Sequence, residues 1–372
     1  MARKYSSELL KRIQERQEVK VINGIEVLVK NLPDCDDKGA MDPRLYKDSK
    51  KMALMMKVMP KSMMKMDASP KTIARMRKMF NGVKSVKVVE SNITIDRKTV
   101  KAEDGYEIPI RIYHPESEVE NSPVLYFIHG GGFFAGSPDV VEELIKLIVE
   151  REHIPAVSVD YRLAPENPYP LGHRDCFTVL KWIYENAEAI GVDKNKIVVS
   201  GDSAGGNLTQ YCTTRDLELG TNMVRAQMLL YPTVNMAGIK DELSTWSLDK
   251  YEIYPKHKGV IEGMLTMMGG DGGGATSMLG DILGTQDIKN VYLTPYMAEL
   301  KEMPPTMITF GEHDFLAVEC MAYAVKLNKA GVKTKTILYK GFGHAYGDNI
   351  GVYPQSEDCA IEMGRFIKEN CK

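Results

Sequence analysis

Residues 197–206 read Ile197-Val198-Val199-Ser200-Gly201-Asp202-Ser203-Ala204-Gly205-Gly206, and a helix-prone stretch begins at Asn207. A β-branched run that ends in Gly-x-Ser-x-Gly and leads into a helix is the signature of a tight strand-to-helix turn. Gly201 and Gly205 are needed there because a side chain at either position would strike the adjoining strand or helix. The turn lifts the Ser203 hydroxyl out of the sheet, where a base and a substrate can reach it. The pentapeptide alone is moderately specific, so the rest of the chain has to supply the partners.

From about residue 89 onward, short β-rich runs alternate with amphipathic stretches. Eight strands are predicted, at 93–96, 108–113, 124–128, 156–160, 197–200, 227–231, 306–310 and 335–339. Helical patterns fall at 140–152, 176–189, 207–219, 317–330 and 355–369. This alternation predicts an α/β architecture with a mostly parallel sheet flanked by helices. The first two strands have no helix between them and are predicted to pair antiparallel across Asp104-Gly105.

Two further loops follow the pattern set by Ser203. His129-Gly130-Gly131-Gly132-Phe133 comes directly after the apolar run 124–128. Its side-chain-free backbone leaves N–H groups able to converge on a developing negative charge. Gly130 and Gly131 are the expected donors, with the Ala204 N–H as a third. His129 is expected to fix the loop by hydrogen bonding. Downstream, Asp314 follows the run 306–310 and His344 follows 335–339. They stand in the order serine, acid, histidine that an elbow serine requires. Glu312 and Glu319 are alternative acids in less favourable positions. His114, His153, His173 and His257 do not follow a late strand, and His313 adjoins the acid.

The 372 residues include 48 Lys and Arg against 50 Asp and Glu, a formal net charge of −2 that gives no support for nucleic-acid binding. The six cysteines are scattered without a C-x-x-C pair and read as reduced thiols, with no zinc site or other metal site. No apolar segment follows the basic N-terminus, and no uncharged run is long enough to span a bilayer. A cytoplasmic location without stable membrane insertion is the corresponding expectation.

Residues 1–88 have a different texture. Leu9, Leu10, Ile13, Met52, Met55, Met56, Met59 and Met63 recur at helical spacing, and Pro60 and Pro70 interrupt the run. Lys and Arg dominate from Lys51 to Lys87, with Asp67 the only acid. One reading is a basic amphipathic surface for membranes or acidic partners. The favoured reading is a helical cap whose methionines pack on the main domain, because methionine stripes are commonly packing surface. A second interruption of the strand pattern covers about 233–292 and includes the glycine-rich run 269–274. That run lacks the Gly-Lys-Ser/Thr ending of a phosphate loop and reads as a connection.

Four stretches together, HGGGF at 129–133, DYRLAPENPYP at 160–170, GDSAGGN at 201–207 and the Asp314 and His344 loops, resemble the hormone-sensitive-lipase-like carboxylesterases, the bacterial family IV. The resemblance covers about residues 89–370. It implies an α/β-hydrolase fold with an eight-stranded sheet, and a helical cap formed by 1–88 and an insertion at 233–292. It further implies a cofactor-free serine esterase acting on small-molecule esters, with Ser203, His344 and Asp314 as nucleophile, base and orienting acid. Short to medium acyl chains are expected, acetylated sugars among them, with Phe133 and Phe134 in the substrate pocket and a homo-oligomer as one assembly. An amidase or formamidase would use the same residues. A ligand-binding receptor on this fold would be expected to lack one of them. Two positions depart from the family: Phe315 stands where proline is usual after the acid, and Ala345 where glycine is usual after the histidine.

Overall fold

The computed structural model describes residues 3–58, 67–268 and 274–372. The apolar run around Val124–Ile128 becomes β5 (Ser122–Ile128), with Val124, Leu125, Tyr126, Phe127 and Ile128 all withdrawn from solvent. A strand buried on both faces needs helices on each side, and parallel neighbours joined by helical crossovers provide them. β6 (Ala156–Val159) and β7 (Val192–Asp202) flank β5 in parallel, and β8 (Val224–Leu230), β9 (Thr306–Gly311) and β10 (Thr334–Tyr339) continue the parallel order outward. On the other side, β3 (Thr94–Lys101) and β4 (Glu107–His114) form the predicted antiparallel hairpin, and β4 runs antiparallel to β6.

The sheet holds ten strands where eight are expected, in the order β1-β2-β10-β9-β8-β7-β5-β6-β4-β3. The additional pair is β1 (Glu18–Ile22) and β2 (Ile25–Lys30), closed by Asn23 and Gly24, both at positive φ. Asn-Gly in that conformation matches the twist of two antiparallel strands. β2 then adds in parallel to β10. The N-terminal segment is therefore not a helical cap throughout: residues 18–30 are part of the main sheet. Lys30 secures them, because its ammonium is fully buried and lies 3.0 Å from Asp358 and 2.8 Å from Glu362 of the last helix.

Ten helices are described. α1 (Ser7–Glu15), α2 (Pro43–Val58) and α3 (Pro70–Phe80) precede β3. α4 (Pro138–Glu152), α5 (Leu171–Glu185) and α6 (Ala204–Leu219) make the crossovers. α7 (Lys258–Met268) and α8 (Gly274–Leu283) lie in the mid-chain insertion, and α9 (Ala317–Lys329) and α10 (Pro354–Asn370) close the fold. The expected methionine packing does not hold where it is described: Met52 and Met55 of α2 stand exposed, whereas Met76 of α3, outside that stripe, is buried. The side chain of Met56 and the whole of Met59, Pro60 and Met63 lie outside the described residues, as does most of the 269–274 run.

Candidate active site

Because β5, β7, β9 and β10 are parallel, the loops that follow them leave from the same edge of the sheet. Those four loops carry the glycine run, Ser203, Asp314 and His344. Ser203 sits at φ 54° and ψ −117°, a strained backbone for a non-glycine residue. The sharpness of this turn explains its glycines: a Cβ on Gly201 would overlap the Gly205 carbonyl, and one on Gly205 would overlap the Ile128 carbonyl.

The Ser203 hydroxyl donates to His344 Nε2 at 2.9 Å. His344 Nδ1–H donates in turn to both oxygens of Asp314, at 3.0 and 2.9 Å. Asp314 is fully buried and its Oδ1 also accepts the Leu316 N–H at 2.9 Å, whereas the His344 side chain keeps 21 % exposure. The acid is thus held on the protein side and the imidazole faces the space a ligand would enter. Glu312 instead binds Lys340 and the Gly341 N–H, and Glu319 accepts the Val234 and Asn235 N–H groups, so neither alternative acid bonds His344.

The two departures from the family pattern are accommodated. The Phe315 ring lies 4.7 Å from the His344 ring, and Ala345 takes the left-handed conformation at φ 59°. Tyr231, directly after β8, packs its ring against His344 at 5.1 Å, and Tyr251 donates to the Asp314 carbonyl at 3.0 Å. Sequence reasoning missed both tyrosines, since neither lies in a motif.

In the glycine loop the structure corrects one expected donor. The Gly130 N–H is already committed to Asp202 Oδ1 at 2.7 Å, and the Gly130 carbonyl accepts from His129 Nδ1–H at 2.8 Å. With both sides of that residue clamped by side chains, Gly130 has no N–H left for a ligand. The Gly131 and Gly132 N–H groups have no partner among the described residues. Gly131 lies at φ 119° and a Cβ there would overlap the Ala135 carbonyl. His129 does fix the loop, as its position suggested. Its imidazole stacks on Tyr161 at 4.4 Å, and burial pushes its pKa down to about 4, so the ring stays neutral. Burial, then the neighbouring Asp348 carboxyl, pushes the Asp202 carboxyl well above its ordinary range.

Phe133 and Phe134 flank the glycine loop. Both rings are buried in the core: Phe133 stacks on His173 at 5.6 Å, and Phe134 meets Phe80 of α3 at 5.9 Å. Phe133 lines a small cavity with Tyr169, His173 and Leu283. The side chains above the site come from the insertion. A Leu279 methyl of α8 sits 3.6 Å from where a Cβ on Gly132 would stand, and the Met264 methyl of α7 sits 3.3 Å from the equivalent point on Gly343. No group of His, Cys, Asp or Glu able to hold a metal occurs among the described residues, and the six cysteines are free.

A parallel-centred sheet whose strand ends bring a serine, a histidine and a buried acid into one hydrogen-bonded series defines a class of hydrolase. The chain belongs to the α/β hydrolase fold family, which residues 125–348 match. It is 32% identical over 266 residues to a carboxylesterase of Mycobacterium tuberculosis, covering 72% of this chain and 79% of that protein. It is likewise 32% identical over 273 residues to an arylesterase of Saccharolobus solfataricus, covering 73% and 81%. An esterase from Pyrobaculum calidifontis superposes with a TM-score of 0.68 at 26% identity, over 88% of this chain and 98% of that one. The chain is accordingly a carboxylic ester hydrolase. No helix among the described residues is long and apolar enough to cross a membrane.

Proposed function

We propose that this enzyme is a serine carboxylesterase that cleaves short- to medium-chain esters through an acyl-enzyme, acetyl esters of sugars being one substrate class. The observation that carries the reading is the unbroken series from Ser203 Oγ through His344 to the buried Asp314. As Ser203 Oγ attacks the ester carbonyl, His344 Nε2 takes its proton, and Asp314 holds the Nδ1–H tautomer and stabilises the imidazolium. The carbonyl oxygen becomes an oxyanion facing the Gly131, Gly132 and Ala204 N–H groups. His344 then returns the proton to the leaving alcohol. In the second half the same imidazole activates water, which releases the acid and regenerates Ser203.

The roof over the site supports short acyl chains. Met264 and Leu279 approach the histidine and glycine loops from above, so α7 and α8 serve as a cap, joined by the helical parts of the N-terminal segment. Turnover of a p-nitrophenyl ester series from acetate to dodecanoate, together with acetylated saccharides, tests the reading. The rate should peak at short to medium chains, and Ser203→Ala should lower kcat by about 10⁶. Full activity of that variant on p-nitrophenyl acetate would refute the assignment of Ser203.

A further inference from the structure

The glycine loop is held at both ends, and the second hold comes from the N-terminal segment. At the near end, Asp202 and His129 fix the N–H and the carbonyl of Gly130. Beyond Gly132 the chain turns back on itself: the Phe134 and Ala135 N–H groups both donate to the Gly131 carbonyl, at 3.3 and 3.0 Å. The return is tight, since a Cβ on Gly136 would overlap the Gly130 carbonyl. Three successive glycines have no side chains to anchor them and the widest backbone freedom of any residue. Their orientation therefore depends on what grips the chain on either side.

At the far end the grip is the last turn of α3. Arg77, Phe80 and Asn81 stand three and four residues apart and so share one side of the helix end. Arg77 Nε–H donates to the Phe134 carbonyl at 2.6 Å, the Phe80 ring lies 5.9 Å from the Phe134 ring, and Asn81 Oδ1 accepts the Gly136 N–H at 2.8 Å. The same guanidinium donates to the Ala164 carbonyl at 2.8 Å, and the Ala164 N–H donates to the Phe133 carbonyl at 3.0 Å. A planar fork of donors lets one side chain hold two carbonyls while Glu166 binds it from the solvent side. The Arg77 side chain is 27% exposed and that of Glu166 59%, so the carbonyl contacts are the inner ones.

We infer that Arg77 is a positioning residue for the oxyanion donors: with Asn81 it fixes the far end of the glycine loop, so that the Gly131 and Gly132 N–H groups stand between two clamps. The inference rests on the serine mechanism proposed above. Arg77 lies before the stretch 125–348 that matches the family, so the second clamp is supplied by the segment preceding it. Backbone donors stabilise an oxyanion only when they are already aimed at it. They act on the tetrahedral state more than on the bound ester, so loss of the clamp should appear in kcat and spare KM.

The test compares Arg77→Ala, Arg77→Lys and Glu166→Gln with wild type in steady-state hydrolysis of p-nitrophenyl acetate, each rate divided by the serines that a phosphonate titrates. Arg77→Ala should lose about 10- to 100-fold in kcat per titrated serine, with KM within about threefold of wild type. Guanidinium chloride at about 20 mM, far below the molar concentrations that unfold a domain, should raise that rate at least about fivefold, and sodium chloride at the same strength should not. Arg77→Lys keeps the charge without the fork and should stay at least about fivefold below wild type. Glu166→Gln cuts only the solvent-side ion pair and should hold kcat within about twofold. Unchanged kcat per titrated serine in Arg77→Ala overturns the inference, and so does a loss that guanidinium leaves untouched. An equal loss in Glu166→Gln also overturns it, because the ion pair and not the carbonyl contacts would then be what matters. Full activity of Ser203→Ala would take down the serine mechanism and the inference with it, whereas failure at Arg77 alone leaves that mechanism standing.

Discussion

Asp202 lies beside the nucleophile yet touches none of the proposed reacting atoms, and its loss should nonetheless slow the chemistry. Its Oδ1 takes the Gly130 N–H at 2.7 Å while His129 holds the carbonyl of the same residue at 2.8 Å. These two bonds set the peptide orientation from which the Gly131 and Gly132 N–H groups follow. Asp202→Leu removes the acceptor and leaves a buried N–H unpaired, at a cost of about 1–3 kcal/mol to that loop conformation. Where the loop must be restored in each transition state, kcat falls by about 5- to 150-fold, at 1.36 kcal/mol per factor of ten. KM should stay within about threefold, because the oxyanion donors act on the tetrahedral state more than on the bound ester.

Asp202→Asn separates this role from general packing. The Asp202 carboxyl is raised by burial first and by Asp348 second. Asparagine is close to its isostere and keeps an oxygen for the Gly130 N–H, so kcat should remain within about threefold of wild type. The assay is steady-state hydrolysis of p-nitrophenyl acetate, with a phosphonate titration to count competent Ser203 sites. A slowed Asp202→Leu with a full count of titratable serines supports the clamp. Unchanged kcat in Asp202→Leu, or an equal loss in Asp202→Asn, refutes it.

Three other outcomes follow from the same geometry. Asp314→Asn should preserve the fold but present the wrong tautomer partner to His344, lowering kcat by about 10⁴ in the same assay; a drop below tenfold would contradict it. His173 is fully buried beside Phe133 and its pKa is pushed down to about 3 by burial, from 6.5. The unfolded chain gains this proton below pH 6.5 and the folded chain does not, so stability is lost as pH falls from 6.5 toward 3. By about pH 4.5 the loss is about 3 kcal/mol. His173→Phe should remove that part of the acid dependence of Tm, and an unchanged slope would refute the assignment. Lys30→Met leaves Asp358 and Glu362 without their buried cation and should lower unfolding free energy by about 3–5 kcal/mol in urea melts; a loss below about 1 kcal/mol would show the network to be dispensable.

The core of this fold is legible because its signals are local. A buried β-branched run followed by a glycine turn identifies the end of β7, and the same logic locates the loops of Asp314 and His344. The β1–β2 hairpin was locally signalled too: alternating apolar residues surround Asn23-Gly24, a strong hairpin turn. It is obscured by the helical spacing of Leu9, Leu10 and Ile13 before it and of the methionines after it. The attachment of β2 to β10 is not local at all, since it depends on Lys30 meeting acids more than three hundred residues away.

The glycine loop shows most sharply what a motif conveys and what it leaves out. Three successive glycines announce backbone donors, but three equivalent letters cannot say which N–H faces a substrate. That choice is made by the carboxyl of Asp202, 72 residues downstream and in the unspecified position of the serine motif. An acceptor there consumes the first glycine's N–H and leaves those of the next two without a partner among the described residues. With leucine at the same position the pentapeptide would still match Gly-x-Ser-x-Gly, while the loop across the sheet would lose the contact that orients it. The unspecified letter between glycine and serine is therefore a structural decision, and the pair of substitutions at Asp202 measures it.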